Sequence, residues 1–220
     1  MTTLASCGTN RLRGKFITLE GGEGVGKSTQ LAALAADLTA RGIKVVTTRE
    51  PGGTEGAEAI RRLLLEGGAD RWNSASEALL FAAARGDHVA KLIEPALARG
   101  EWVLCDRFVD STRAYQGGGG GMADADILTL HRIGSGALLP DRTLLLQLAS
   151  DVAATRLHAR DGDRPDRMGA KPAAYHARLA ARFAELAAAE PARWRIVDAS
   201  GDANMVTNHL LAALADLLPC

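Results

Sequence analysis

The feature that most constrains this chain is a glycine-rich loop in a particular setting. Gly21-Gly22-Glu23-Gly24-Val25-Gly26-Lys27-Ser28 follows the apolar run Phe16-Ile17-Thr18-Leu19. It opens a stretch, Lys27 to Arg41, whose leucines at Leu31, Leu34 and Leu38 fall on one helical face. Strand, G-x-x-x-x-G-K-S and helix, in that order, make a phosphate-binding loop rather than a chance pattern. Glycines let the backbone bend until several N–H groups point at one phosphate, and the helix N-terminus adds partial positive charge. Lys27 then reaches the outer phosphates, and the Ser28 hydroxyl is placed for a Mg²⁺ ion, with Thr29 completing the nucleotide-binding segment.

The rest of the chain alternates in the same way. Apolar runs at Lys44–Thr48, Trp102–Cys105, Leu144–Leu148 and Arg195–Val197 read as further strands. Helical patterns cover Ala57–Leu65, Ser76–Ala98, Ile127–Ile133, Val152–His158, Ala173–Ala189 and Met205–Leu218. Continuous apolar strands separated by helices predict an α/β fold, a parallel five-stranded sheet with helices on both faces. The 220 residues fit a single domain, with Met1 to Gly14 as an N-terminal tail that lacks a signal-peptide core.

Composition removes several alternatives. The chain has 26 Lys and Arg against 26 Asp and Glu, so bulk attraction to nucleic acid is not expected. No uncharged apolar run is long enough for a bilayer, so no membrane partner is expected either. Three scattered cysteines, Cys7, Cys105 and Cys220, form neither a metal pair nor a disulfide framework, which fits a reducing cytoplasm.

Ligands in open α/β sheets bind beyond the carboxyl ends of the strands. After the second predicted strand comes Thr48-Arg49-Glu50-Pro51-Gly52-Gly53-Thr54. After the third come Leu104-Cys105-Asp106-Arg107-Phe108 and Ser111-Thr112-Arg113-Ala114-Tyr115-Gln116-Gly117. With the phosphate loop, these segments resemble the thymidylate kinase family from about Phe16 to Ala199. The phosphate loop is shared by many nucleotide hydrolases; the Asp-Arg-Phe and Ser-Thr-x-Ala-Tyr-Gln strings are far more specific.

The resemblance implies a P-loop nucleoside monophosphate kinase fold, a homodimer, and phosphoryl transfer from MgATP to dTMP. It implies roles residue by residue. Arg107 binds the acceptor phosphate, with Arg49 and Glu50 beside it. Asp106, Ser28 and Glu50 attend the Mg²⁺. Phe81 and Arg85, four apart on one helical face, stack on and hydrogen-bond the thymine. Gln116 meets the base edge. Tyr115 sits against the sugar, Glu23 contacts its 3′-hydroxyl, and Ser111 is a further substrate-binding candidate whose alternative is to shape the loop.

The polar stretch Arg160–Gly169, within a lid of about 160–172, reads as a closing loop. The phosphate loop carries no internal basic residue, so the chain resembles the bacterial kind in which lid arginines, here Arg164 and Arg167 with Arg160, supply catalytic charge. The family's lid often continues Asp-Arg-aliphatic-Glu, whereas Met168 is followed here by Gly169. The five glycines Gly117–Gly121 predict a flexible segment. Two alternatives share the loop: a kinase for another nucleoside monophosphate or a deoxynucleoside, and a nucleotide-dependent switch. The Asn-Lys-x-Asp guanine motif that a GTPase switch would carry is not found in the sequence.

Overall fold

A computed structural model describes residues 13–68, 70–161, 167 and 171–219. The predicted tail before residue 13, and Arg164 with most of the predicted lid, lie outside the described residues. Five strands, β1 (Phe16–Glu20), β2 (Val45–Arg49), β3 (Trp102–Asp106), β4 (Arg142–Gln147) and β5 (Trp194–Asp198), form one sheet in the order β2-β3-β1-β4-β5. Every pairing is parallel. Central β1 is buried along its whole length, as a strand covered on both faces must be.

Strand alternation sorts its side chains. Ile17 and Leu19 join Leu104, Leu144 and Leu146 against α1 (Lys27–Ala40) and α9 (Ala203–Ala213). Leu34 and Leu38 of α1 are fully buried there, each worth about 1.5–3 kcal/mol of burial. Phe16, Thr18 and Glu20 face the other way, where Phe16 packs with Val89, Ile93, Val103 and Phe108. The same alternation points Trp102 and Leu104 of β3 toward α1 and carries Asp106 to that face.

The predicted helices are present with shifted ends: α2 (Glu55–Leu65), α3 (Ser74–His88), α6 (Asp124–Ser135), α7 (Ser150–Asp161) and α8 (Ala173–Ala189). The predicted single helix from Ser76 to Ala98 is interrupted. α3 passes through a π-helical turn, Val89–Ile93, into α4 (Glu94–Ala98). Pro95 has no N–H to give to the preceding turn, and a wider turn ahead of it accommodates that loss. The closing helix stops at Ala213 rather than Leu218.

The largest difference follows β3. Short α5 (Val109–Thr112) runs straight into a π-helical segment, Arg113–Gly119. The glycine run is therefore not a loose loop where it begins. Gly117 and Gly119 are buried. A β-carbon on Gly118 would lie 2.4 Å from Arg182, and one on Gly119 2.5 Å from the Tyr175 ring. These glycines let α8 approach the segment closely, a packing role that composition does not distinguish from flexibility.

Candidate active site

The phosphate loop joins β1 to α1 at the carboxyl end of the sheet. Its bends need glycine at Gly24 and Gly26, whose φ angles are 73° and 94°. The Lys27 ammonium folds back over the loop and donates to the carbonyls of Gly21 at 3.2 Å and Gly22 at 2.7 Å. Burial, then the nearby Arg107, lowers its pKa to about 8, although Glu23, Asp106 and Glu20 pull the other way. Ser28 Oγ donates to Asp106 Oδ2 at 2.8 Å. A hydroxyl and a carboxylate oxygen thus meet where α1 begins.

Arg107 crosses above the loop. Its backbone is left-handed, φ 70°, an uncommon state for a residue with a β-carbon. Nη1 donates to Gly21 O at 3.0 Å and to Ser111 Oγ at 3.1 Å; Nη2 donates to Glu23 Oε1 at 2.6 Å. The guanidinium also lies 5.0 Å from the centre of the Tyr115 ring. The Tyr115 hydroxyl donates to the same Glu23 oxygen at 3.1 Å. Burial raises the Tyr115 pKa, keeping the phenol neutral.

The other side of the site rests on α3. Arg85, only 2% exposed, donates from Nε to Glu50 Oε2 at 2.8 Å and from Nη2 to Thr112 Oγ1 at 2.8 Å. His88 Nδ1 lies 3.1 Å from Glu50 Oε1, and its Nε2 lies 2.8 Å from Thr48 Oγ1. Both Glu50 oxygens are therefore engaged with α3. Gln116 donates from Nε2 to Glu77 Oε2 at 2.9 Å, while its buried Oε1 has no partner among the described residues. Arg167 donates to Glu77 Oε1 at 2.6 Å and to Leu64 O at 2.8 Å.

One cavity of about 790 Å³ gathers these groups. The loop from Glu23 to Thr29 lines it, with Arg49, Glu50, Phe81, Arg85, Asp106, Arg107, Ser111, Tyr115 and Gln116. Nearly all of the sequence-predicted residues thus converge. Arg49 reaches it while its Nη2 donates to Glu58 at 3.0 Å. Gly21 and Gly22 stand just behind, as acceptors for Lys27. Arg167 does not line the cavity; it is buried against Glu77. The sequence reading missed Glu20, Glu77, His88 and Arg61; Arg156 opens the basic stretch Arg156–Arg167 that the sequence does mark. Arg61 and Arg156 both line the cavity, and for Arg61 only an inventory of all basic residues could have raised it.

The residues fit a divalent cation of the Mg²⁺ type. Ser28 and Asp106 offer hard oxygen ligands within hydrogen-bond distance of each other. No cluster of three or more His, Cys, Asp or Glu ligands occurs among the described residues. Mg²⁺ is commonly held by one or two protein oxygens with the remainder from phosphates and water. Glu50, expected near the metal, has its oxygens turned to Arg85 and His88 instead.

A parallel β2-β3-β1-β4-β5 sheet, a phosphate loop after β1 and a second, cation-bearing wall opposite it define a P-loop kinase of the nucleoside monophosphate class. Comparison with known proteins narrows the class. The thymidylate kinase family model matches residues 19–210. The chain is 61% identical over 206 residues to a thymidylate kinase of Rhizorhabdus wittichii, covering 94% of this chain and 99% of that one. It is 48% identical to that of Caulobacter vibrioides over 206 residues, 94% and 96% of the two chains. The crystal structure of thymidylate kinase from Ehrlichia chaffeensis superposes with a TM-score of 0.74 at 32% identity, covering 92% of this chain and 99% of that one. The chain belongs to the thymidylate kinase family.

Proposed function

We propose that this enzyme transfers the γ-phosphoryl group of MgATP to the phosphate of dTMP, giving ADP and dTDP, the step that leads toward dTTP. The single observation that carries the reading is the shared cavity. The phosphate loop, the Arg107 guanidinium bonded to it, the Phe81 ring, Arg85 and the unpartnered amide oxygen of Gln116 all belong to this one cavity.

The nucleophile is a phosphate oxygen of dTMP, already anionic at neutral pH, so no general base is required. The barrier is repulsion between two phosphates that must approach in line. Catalysis is then positioning and charge neutralisation. The loop amides and Lys27 hold the ATP phosphates, and Arg107 with Arg49 holds the acceptor phosphate. Mg²⁺ arriving with ATP would sit at Ser28 and Asp106 and neutralise charge on the phosphate chain. To accept its substrate, Arg107 exchanges part of its bonding to Glu23 for the phosphate, and Glu23 turns to the sugar 3′-hydroxyl.

Base recognition follows from chemistry. Phe81 offers a face for stacking. Arg85, held by Glu50 and Thr112, offers a donor to a base carbonyl. The unpartnered Oε1 of Gln116 suits the ring N3–H that thymine presents. Glu50 serves here by fixing Arg85 rather than by reaching metal. Arg167 fixes Glu77, which fixes Gln116. The Tyr115 ring fills the place a ribose 2′-hydroxyl would need. Lid charge then falls to Arg160 and Arg164, with Arg156 already at the cavity.

The chain works as a single domain in this reading, in the cytoplasm. No described helix is long and apolar enough to cross a membrane. We also propose a homodimer, supported by Leu79 of α3 and Ile133 of α6. These are 56% and 70% exposed on helices that pack together. Phosphorus NMR of the reaction tests the transfer. The expected result is ADP and dTDP in equal amounts; inorganic phosphate in place of dTDP would overturn it.

A further inference from the structure

Glu20 is an anomaly on physical grounds. It ends the central strand, is fully buried, and occupies a position where the fold alone would be served by another apolar side chain. A buried carboxylate is costly unless its bonds repay desolvation. Burial, then the nearby Asp110, push its pKa up, while Arg107, the Ser111 hydroxyl and the Phe108 amide favour the charged form.

Its bonds lead to one place. Glu20 Oε1 accepts from the Phe108 backbone N–H at 2.8 Å, and Oε2 accepts from Ser111 Oγ at 2.6 Å. Ser111 Oγ in turn accepts from Arg107 Nη1 at 3.1 Å. The carboxylate therefore grips the peptide that follows Arg107 and the hydroxyl that touches its guanidinium. Arg107 itself is in the left-handed region at φ 70°. Such a state persists only where its surroundings over-determine it. The Arg107 N–H on Leu19 O, at 3.0 Å, fixes one side of the residue; Glu20 fixes the other.

We propose that Glu20 is the positioning residue of the acceptor subsite: through Phe108 N–H and Ser111 it holds Arg107 in the strained backbone that aims its guanidinium at the acceptor phosphate. This rests on the reading of Arg107 as the acceptor-phosphate ligand. Glu20 touches no substrate; it acts through Arg107 alone. A residue serving only the sheet would affect both substrates or overall stability. A residue serving Arg107 affects the acceptor and leaves ATP binding alone.

The test is a double-mutant cycle of Glu20→Gln with Arg107→Ala, reading KM for dTMP and for MgATP separately. The amide oxygen of the variant still accepts from Phe108 N–H, but its NH₂ meets Ser111 as a donor, so Ser111 can no longer donate to residue 20 and its hydroxyl is no longer oriented toward Arg107 as in the native chain. Glu20→Gln should raise the dTMP KM about tenfold, the loss of the hydrogen-bond relay through Ser111 to Arg107. The MgATP KM should stay within about twofold, and on the Arg107→Ala background Glu20→Gln should add nothing. An unchanged dTMP KM in folded Glu20→Gln, or an equal effect with and without Arg107, overturns the proposal. If Arg107→Ala alone leaves dTMP kinetics intact, the assignment of Arg107 fails, and that failure is visible independently of Glu20. Should Glu20→Gln not fold, Ser111→Ala breaks the same relay. It should raise the dTMP KM about threefold and be silent without Arg107; a Ser111→Ala enzyme with unaltered dTMP KM overturns the proposal equally.

Discussion

Substitution of Arg107 separates chemistry from fold in one experiment. The guanidinium holds Gly21 O at 3.0 Å, Ser111 Oγ at 3.1 Å and Glu23 Oε1 at 2.6 Å. Arg107→Ala removes these contacts together with the cation that meets the acceptor phosphate. Hydrogen bonds to charged groups contribute about 1.5–3 kcal/mol each. Two of them lost at the transferring group amount to about 4 kcal/mol, or about 10³ in kcat/KM for dTMP. Lys27 and the loop amides are untouched, so the ATP dissociation constant should stay within about threefold. The backbone supplies an internal control. At φ 70° any residue with a β-carbon is strained by about 1 kcal/mol, whereas glycine is not. Arg107→Gly should therefore be as inactive as Arg107→Ala yet about 1 kcal/mol more stable. Steady-state ADP formation with dTMP varied, ATP titration and urea unfolding read these quantities. Retention of kcat/KM within about tenfold in Arg107→Ala would refute the acceptor role. Equal stability of the two variants would refute the backbone argument.

Other expectations follow from single groups. Lys27, with its pKa lowered to about 8 by burial, is partly neutral in the free enzyme at pH 8 and is charged beside a triphosphate. ATP binding at pH 8 should take up protons, and affinity should fall as pH rises through 8; a binding enthalpy independent of buffer ionisation would contradict this. His131 donates from Nε2 to Leu138 O at 2.7 Å, and its buried Nδ1 has no partner among the described residues. Burial, then Arg85, lowers its pKa to about 4. Below pH 6.5 the unfolded chain binds a proton there that the folded chain refuses. Stability is thus lost as pH falls from 6.5 toward 4, by up to about 3 kcal/mol. His131→Gln should flatten that limb in urea unfolding; an identical acid limb would sink the assignment. Tyr115→Ala should open the sugar pocket and erode discrimination between dTMP and its ribonucleotide by about tenfold or more. A preserved preference, measured as a ratio of kcat/KM values, would place discrimination elsewhere.

What could be read from sequence was local. The phosphate loop, Asp106-Arg107 and the Phe81–Arg85 face depend on residues a few positions apart, and all reach the same cavity. The parallel direction of the five strands followed from apolar runs alternating with helices, whereas their order, β2-β3-β1-β4-β5, came only with the structure. What was hidden depends on long-range pairing. Glu20 reads as the end of an apolar strand until Phe108 and Ser111, roughly ninety residues on, close over it. Glu77 is unremarkable in α3 until Gln116 and Arg167 meet it from different segments. Glu50 looks like a metal or phosphate residue beside Arg49, and only the packing of α3 reveals that Arg85 and His88 occupy it. The glycine run misled for another reason. Composition signals conformational freedom, whereas Gly118 and Gly119 are small because Arg182 and Tyr175 lie where side chains would be.

Whether this enzyme phosphorylates dTMP is decided by Mg²⁺-dependent ADP formation from ATP with dTMP, dUMP, UMP, dCMP, AMP, GMP or no acceptor. The expected result is fast turnover with dTMP, weaker turnover with dUMP, whose missing methyl costs about 1–3 kcal/mol, and negligible turnover otherwise. Equal turnover without any acceptor, or a preference for a purine acceptor, would contradict it.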